Sequence, residues 1–199
     1  MQIKFTNYRP QVLIPFIGLL WTISSWALSG LWGYGVLQGT GPTAIVMLFL
    51  AAYDNLLWKL PILNLMNTIP NLNGKYIGDI SFHWNGQDGD KSCNLEIKQT
   101  CSNIKVKSIF NKEDENDSQS ISTEAFIKTD EAGDRHLYFY YHNRGSCKDG
   151  DTLDPHDGMN VLEILKEEKV VRLKGYYFTN RNPQTKGCME VTKKSGGNK

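Results

Sequence analysis

The sequence predicts a membrane α-hairpin of two helices followed by an all-β domain, an eight-stranded antiparallel up-and-down β-barrel. Three observations point there. From Gln11 through Tyr53 the chain holds no Asp, Glu, Lys, Arg or His. After Leu72, alternation of apolar and polar residues replaces helical spacing. The connections between the alternating runs are short and rich in turn formers.

The uncharged run contains two apolar cores, Val12 to Leu31 and Pro42 to Trp58, each near the roughly 20 residues that a spanning helix requires. Between them, Trp32 to Gly41 combines helix-breaking glycines with aromatics suited to a headgroup boundary. A cleavable signal sequence is the competing reading, with Ala27-Leu28-Ser29 as its loose cleavage site, but cleavage there would leave the second apolar segment as an anchor. Lys4 and Arg9 precede the first segment, Lys59 follows the second, and the intervening loop has no charge. The positive-inside rule then puts both termini in the cytoplasm. Asp54 reads as a boundary residue at the cytoplasmic end of the second helix, because charge deep in a bilayer is costly.

These features divide the chain into an anchor over residues 1–60, a linker over 61–71 marked by Pro61 and Pro70, a barrel over 72–194 and a tail over 195–199. From Leu72 onward there are 19 Lys plus Arg against 20 Asp plus Glu. Binding to a nucleic-acid polymer is therefore not expected, since that calls for a basic stripe. Cys93, Cys101, Cys147 and Cys188 form no CxxC pair, and with the four scattered histidines they match no zinc pattern. Neither metal nor cofactor is expected.

The first strand places Tyr76, Gly78, Ile80, Phe82 and Trp84 on one face and Lys75, Asp79, Ser81 and His83 on the other. The connection 85–90 follows it. Further strands are predicted over Cys93–Gln99, Ser102–Phe110, Ser118–Lys128, His136–Asn143, Gly158–Lys166, Val170–Asn180 and Gly187–Lys193. No link is long enough for a crossover helix, so neighbours run antiparallel, and eight such strands close on a lumen that fits one small ligand. A β-sandwich is the alternative, because a strand count does not establish closure. The acidic turn 112–117 reads as a solvated loop, and Arg144 to Asp157 as a stretch that could cover a mouth.

In the seventh strand, Arg172 and Lys174 mark the outer face, which turns Gly175, Tyr177, Thr179 and Arg181 inward. Tyr177 then offers a stacking surface, Thr179 a hydroxyl, and Arg181 a guanidinium able to grip a phosphate in two places. The alternative makes Tyr177 core and Arg181 part of the exit loop. Inward parity also selects Thr123 and Asn160, and Tyr76 and Tyr141 as further aromatic surfaces. His156 beside Asp157 suggests a base or a ligand. No Ser or Cys nucleophile is spaced to pair with it, however, and Asp-Pro and Asp-Gly are turn chemistry, so no catalytic residue is expected.

The order of the uncharged two-helix segment, Leu72-Asn73-Gly74-Lys75-Tyr76-Ile77-Gly78, Leu137 to Asn143, His156-Asp157-Gly158 and Gly175 to Arg181 with Gly187 after it resembles one effector family. That family, with two transmembrane helices and a β-strand-rich domain, belongs to bacterial cyclic-oligonucleotide-based antiphage signalling (CBASS). The resemblance implies a receptor and not an enzyme: the barrel binds a cyclic dinucleotide, or a related cyclic oligonucleotide, made by a cognate nucleotidyltransferase. It further implies a homo-oligomer in the bacterial inner membrane that breaches the lipid bilayer and aborts infection. On that reading Tyr76, Tyr141 and Tyr177 stack on bases, while His156, Asn160, Thr179, Arg181 and Thr123 supply polar contacts. The different-class alternative is a membrane-tethered carrier of a small apolar ligand, whose lumen would be drier.

Overall fold

A computed structural model describes residues 4–32, 37–110, 118–145, 155–167 and 170–194. The acidic turn 112–117, most of the stretch from Arg144 to Asp157, the tail 195–199 and Cys147 lie outside the described residues or largely so. The chain forms two compact units, one of Met1–Asn71 with Thr100–Asn103, the other of Leu72–Gln99 with Ile104–Lys199.

The first unit is built on α1 (Pro10–Trp32) and α2 (Leu37–Asn55). Proline at the first helical position has its φ preset and no N–H to lose there. The helices meet along Leu13, Val46, Leu50 and Tyr53, with the Phe16 and Phe49 rings 5.0 Å apart. Gly41 lets them approach: a Cβ there would come within 2.7 Å of Leu28 Cδ1. The opposite faces leave Ile14, Trp26 and Leu48 exposed at 67%, 79% and 71%. Apolar surface of that extent is more than water normally contacts.

Among the described residues one helix, over Pro10–Gly30, is long and apolar enough to cross a membrane. The expectation of two such helices is met in part. The reason lies in composition: α2 starts through Gln38, Gly39, Thr40, Gly41, Pro42 and Thr43 and ends on Asp54 and Asn55. Asp54, expected as a boundary residue, stands next to the end of α2, but its side chain is 1% exposed and hydrogen-bonded to Ser102 N–H. Residues 61–71 belong to the same unit as the helices, and Thr68 N–H donates to the Asn7 carbonyl at 3.0 Å.

The second unit is a closed antiparallel barrel of β1 (Gly74–Trp84), β2 (Gln87–Gln99), β3 (Ile104–Phe110), β4 (Ser118–Thr129), β5 (Arg135–Asn143), β6 (His156–Glu167), β7 (Val170–Thr179) and β8 (Lys186–Lys193). Each strand pairs with its neighbour in sequence, and β1 also pairs with β8, which excludes the sandwich. Closure needs strong local coiling. Gly187 permits it, since a Cβ there would run into the Ser81 carbonyl on β1.

Three strand starts differ from expectation by two residues or more. The predicted connection 85–90 shrinks to Asn85-Gly86, both at positive φ (50° and 77°), the geometry of a two-residue hairpin turn, and β2 begins at Gln87. β3 begins at Ile104, not Ser102, because the groups of residues 101 and 102 bond elsewhere. β6 begins two residues early, where His156 pairs with Asn143.

The interior is packed with Leu95, Ile97, Leu137, Phe139, Leu162 and Leu173, all at most 2% exposed. Burying each side chain of this size contributes roughly 1.5–3 kcal/mol.

Candidate functional site

The ends of β1, β3, β5 and β7 and the starts of β2, β4, β6 and β8 share one end of the barrel. Four of the eight candidate residues meet on its inner wall. Cross-strand register puts Asn160 opposite Tyr177 and Phe139, and in the next inward row puts Gly158 opposite Tyr141 and Thr179. Gly158 is required for this arrangement: a Cβ there would overlap the Tyr141 hydroxyl and ring edge and lie 2.8 Å from the Phe178 carbonyl.

Asn160 is the most informative member. It is 2% exposed, and its Oδ1 has no hydrogen-bond partner in the protein. Leaving such an acceptor unpaired costs about 1–3 kcal/mol. At the tip of β1, Trp84 Nε1 is likewise buried and without a partner, so the wall offers one acceptor and one donor. Arg181 sits just beyond β7 with its guanidinium carbon 5.3 Å from the centre of the Trp84 ring. It therefore lies at the rim in the exit turn. Thr179 is turned inward, as its parity predicts, but its hydroxyl donates to the Thr185 carbonyl at 3.3 Å and accepts from Thr185 N–H at 3.2 Å. Its first role is to shape that turn. His156 is half-buried at the start of β6.

Two candidates stand apart. Thr123 was assigned to the inner face, but it occupies a β-bulge between Ser122 and Glu124, is exposed, and donates to the Tyr140 carbonyl at 3.3 Å. The extra residue turns it out of the inward series. Tyr76 does face inward, but from the other end of β1. It lies eight residues from Trp84, roughly 25 Å along a strand, and its hydroxyl donates to the Leu72 carbonyl at 2.9 Å.

Beside the four clustered candidates lie residues that the sequence reading passed over. Asn143 Nδ2 donates to Ser120 Oγ at 2.9 Å, and Ser108 is buried in register with Ser120. Strict alternation from Asn143 through Tyr141 and Phe139 could have flagged the first of these. A pocket of about 710 Å³ opens near the same end, lined by Phe82 and Tyr177 from the inner face and by His83, Tyr176, Phe178 and Lys186 from the outer face. That is within the range of about 300–1,000 Å³ typical of ligand pockets. Lys91 Nζ lies 5.5 Å from the Phe82 ring centre, adding a cation to Arg181 and Lys186.

Beside the sequence neighbours His156 and Asp157, a second histidine enters, and the charge of His156 also favours the Asp157 carboxylate. Asp157 meets His142 Nδ1 at 2.9 Å, and the His142 and Tyr140 hydrogen bonds hold its carboxyl below the usual range. Both side chains are solvent-accessible. Among the described residues, no group of three metal-ligating side chains occurs.

Burial pushes the Tyr177 hydroxyl up from 10.0 to about 12, with nearby Cys93 and Cys188 adding to it. Burial also pushes the Cys93 thiol up to about 12 and raises Tyr76 and Tyr141. An acid with a raised folded pKa keeps its proton longer in the folded state. Its stabilisation is therefore complete below the unfolded value and is lost as pH climbs through the folded one. The melting temperature should hold up to about pH 9 and fall steeply between pH 10 and 12, less so in Tyr177→Phe. A melting temperature constant to pH 12 would contradict this assignment.

Residues 67–193 match the family model described as Cap15, cyclic dinucleotide receptor domain. No curated protein matches the chain.

Proposed function

We propose that this chain, which belongs to the Cap15 cyclic dinucleotide receptor domain family, is a CBASS effector that binds a cyclic dinucleotide at the β1–β2 and β7–β8 end of its barrel. The matched domain is a receptor domain and not a catalytic one. The observation that carries the placement is the buried, unpaired Asn160 Oδ1 in register with Tyr177. A nucleobase supplies what that pair lacks: an N–H for the amide oxygen and a flat surface for the ring. Tyr141 and Tyr177 are the stacking surfaces, Asn160 and Trp84 read base edges, and Arg181, His156 and Thr179 serve the phosphates. An apolar cargo would leave Asn160 and Trp84 unsatisfied.

The full chain in detergent, titrated calorimetrically with cyclic di-AMP, cyclic di-GMP, cyclic di-UMP and cyclic GMP-AMP, tests this. Aromatic stacking is worth roughly 1–3 kcal/mol per base, so Tyr177→Ala should weaken the best binder about ten- to a hundredfold. Unchanged affinity in Tyr177→Ala and in Asn160→Leu, with both folded, would refute the placement.

In this reading occupancy favours an assembled state, because a ligand shifts only an equilibrium whose two sides it binds unequally. Assembly concentrates the hairpins in the inner membrane, where α2 crosses beside α1 and both termini face the cytoplasm. The positive-inside pattern of Lys4, Arg9 and Lys59 supports that orientation. With Cys147 and Cys188 replaced by serine, a cysteine at Gln38 should react with an impermeant thiol reagent on intact spheroplasts, and one at Ser195 should not. Labelling at Ser195 alone would reverse the topology.

A further inference from the structure

Asp54 is the penultimate residue of α2, and an acidic side chain there is disfavoured twice. It faces the negative end of the helix dipole, and it is almost fully buried. What offsets both is the turn between β2 and β3. Asp54 Oδ1 accepts from Ser102 N–H at 2.8 Å and from the Tyr8 hydroxyl at 3.3 Å, and the Asp54 carbonyl accepts from Cys101 N–H at 2.9 Å. The last of these satisfies one of the carbonyls that every helix end leaves open.

The segment before α1 grips the same turn. Asn7 Nδ2 donates to the Cys101 carbonyl at 2.7 Å, Lys4 N–H donates to Ser102 Oγ at 3.0 Å, and Ser102 Oγ donates to the Lys4 carbonyl at 3.3 Å. Three successive backbone groups of the turn, Cys101 N–H, Cys101 C=O and Ser102 N–H, are thus held by residues flanking α1 and ending α2. Thr100–Asn103 accordingly belongs to the helical unit, although the strands it joins belong to the barrel.

We propose that Asp54 is the positioning residue of a joint through which the β2–β3 turn passes ligand occupancy to the helices; this rests on the receptor function proposed above. Because β2 and β3 are continuous with the clamped turn, a change in the strands reaches α1 and α2 through hydrogen bonds to the turn's backbone, one from the Asp54 carbonyl and the others from the side chains of Asp54 and Asn7. Asp54 touches neither ligand nor lumen.

The test uses the full chain in lipid nanodiscs and in cells. Asp54→Ala removes both side-chain hydrogen bonds, whereas Asp54→Asn keeps an acceptor for Ser102 N–H. The expected result is amide exchange at Cys101 and Ser102 at least tenfold faster in Asp54→Ala, within about threefold of the parent in Asp54→Asn, with affinity for the four cyclic dinucleotides within twofold in both. Membrane depolarisation in cells producing the cyclic dinucleotide should be lost in Asp54→Ala and kept in Asp54→Asn. Depolarisation by Asp54→Ala equal to the parent would overturn the joint. Should Asp54→Ala not fold, Tyr8→Phe, which removes one donor, should show reduced depolarisation at unchanged affinity, and parental depolarisation there would overturn it equally. If the parent chain binds none of the four nucleotides, the receptor reading fails, and exchange still decides the joint: rapid exchange of Cys101 and Ser102 in the parent would sink it.

Discussion

A chain lacking residues 1–70 is expected to leave the membrane potential of its host intact under conditions where the full chain collapses it. The apolar side chains exposed on α1 and α2, among them Ile14, Trp26 and Leu48, are all removed with that segment. What remains is a barrel whose largest buried side chains point inward and whose charges nearly cancel. Its sequence carries charges throughout, such as Arg172 and Lys174 on β7, unlike the uncharged run of the helices. The truncation also strips Cys101 and Ser102 of their partners, so nucleotide affinity has to be measured beside the dye signal. Retained affinity with lost depolarisation assigns the damage to the helices. Depolarisation that persists would mean that the barrel itself injures the membrane, and the hairpin mechanism would be abandoned.

Phe139→Ala is expected to destabilise the fold by about 3–5 kcal/mol, the usual cost of emptying a large aromatic site in a packed core. Phe139 is 1% exposed and lies in the inward row with Asn160 and Tyr177. Phe126 is its internal control. It sits on the adjacent strand but faces outward, 47% exposed, with its ring stacked 5.1 Å from that of Tyr138. Phe126→Ala should lose only that pair, roughly 0.5–1.5 kcal/mol. Chemical denaturation of the two variants decides the matter: equal shifts in midpoint at constant slope would mean that the inner and outer walls of β4 and β5 are wrongly assigned.

Much of this arrangement can be read along the chain. The uncharged run from Gln11 to Tyr53 marks the helices, and alternation marks eight strands whose ends, the start of β2 excepted, move by no more than two residues in the folded protein. The outward charges of Arg172 and Lys174 suffice to turn Tyr177 and Thr179 inward, since successive side chains on a strand must alternate. The connection expected over 85–90 contains the two-residue turn Asn85-Gly86, but the polar residues after it also read as loop. Pairing of Gln87 to Ser92 with β1 makes them strand.

Other features have no local signature. Parity gives the face of Tyr76 but not its height, and height separates it from Tyr177 and Asn160. The bulge at Thr123 adds one residue to β4, which reverses parity at a point that no pattern marks. The partner of Asp54 lies 48 residues away, so a charge that looks like a boundary residue in sequence becomes a buried acceptor only when the β2–β3 turn arrives. The sequence by itself determined which segments are helix or strand and which way most side chains point, because those follow from periods of a few residues. Depth within the barrel, the unpaired amide of Asn160 and the company of Asp54 were decided by the tertiary structure alone. They depend on register and closure among strands far apart in the chain, and no local interaction fixes either.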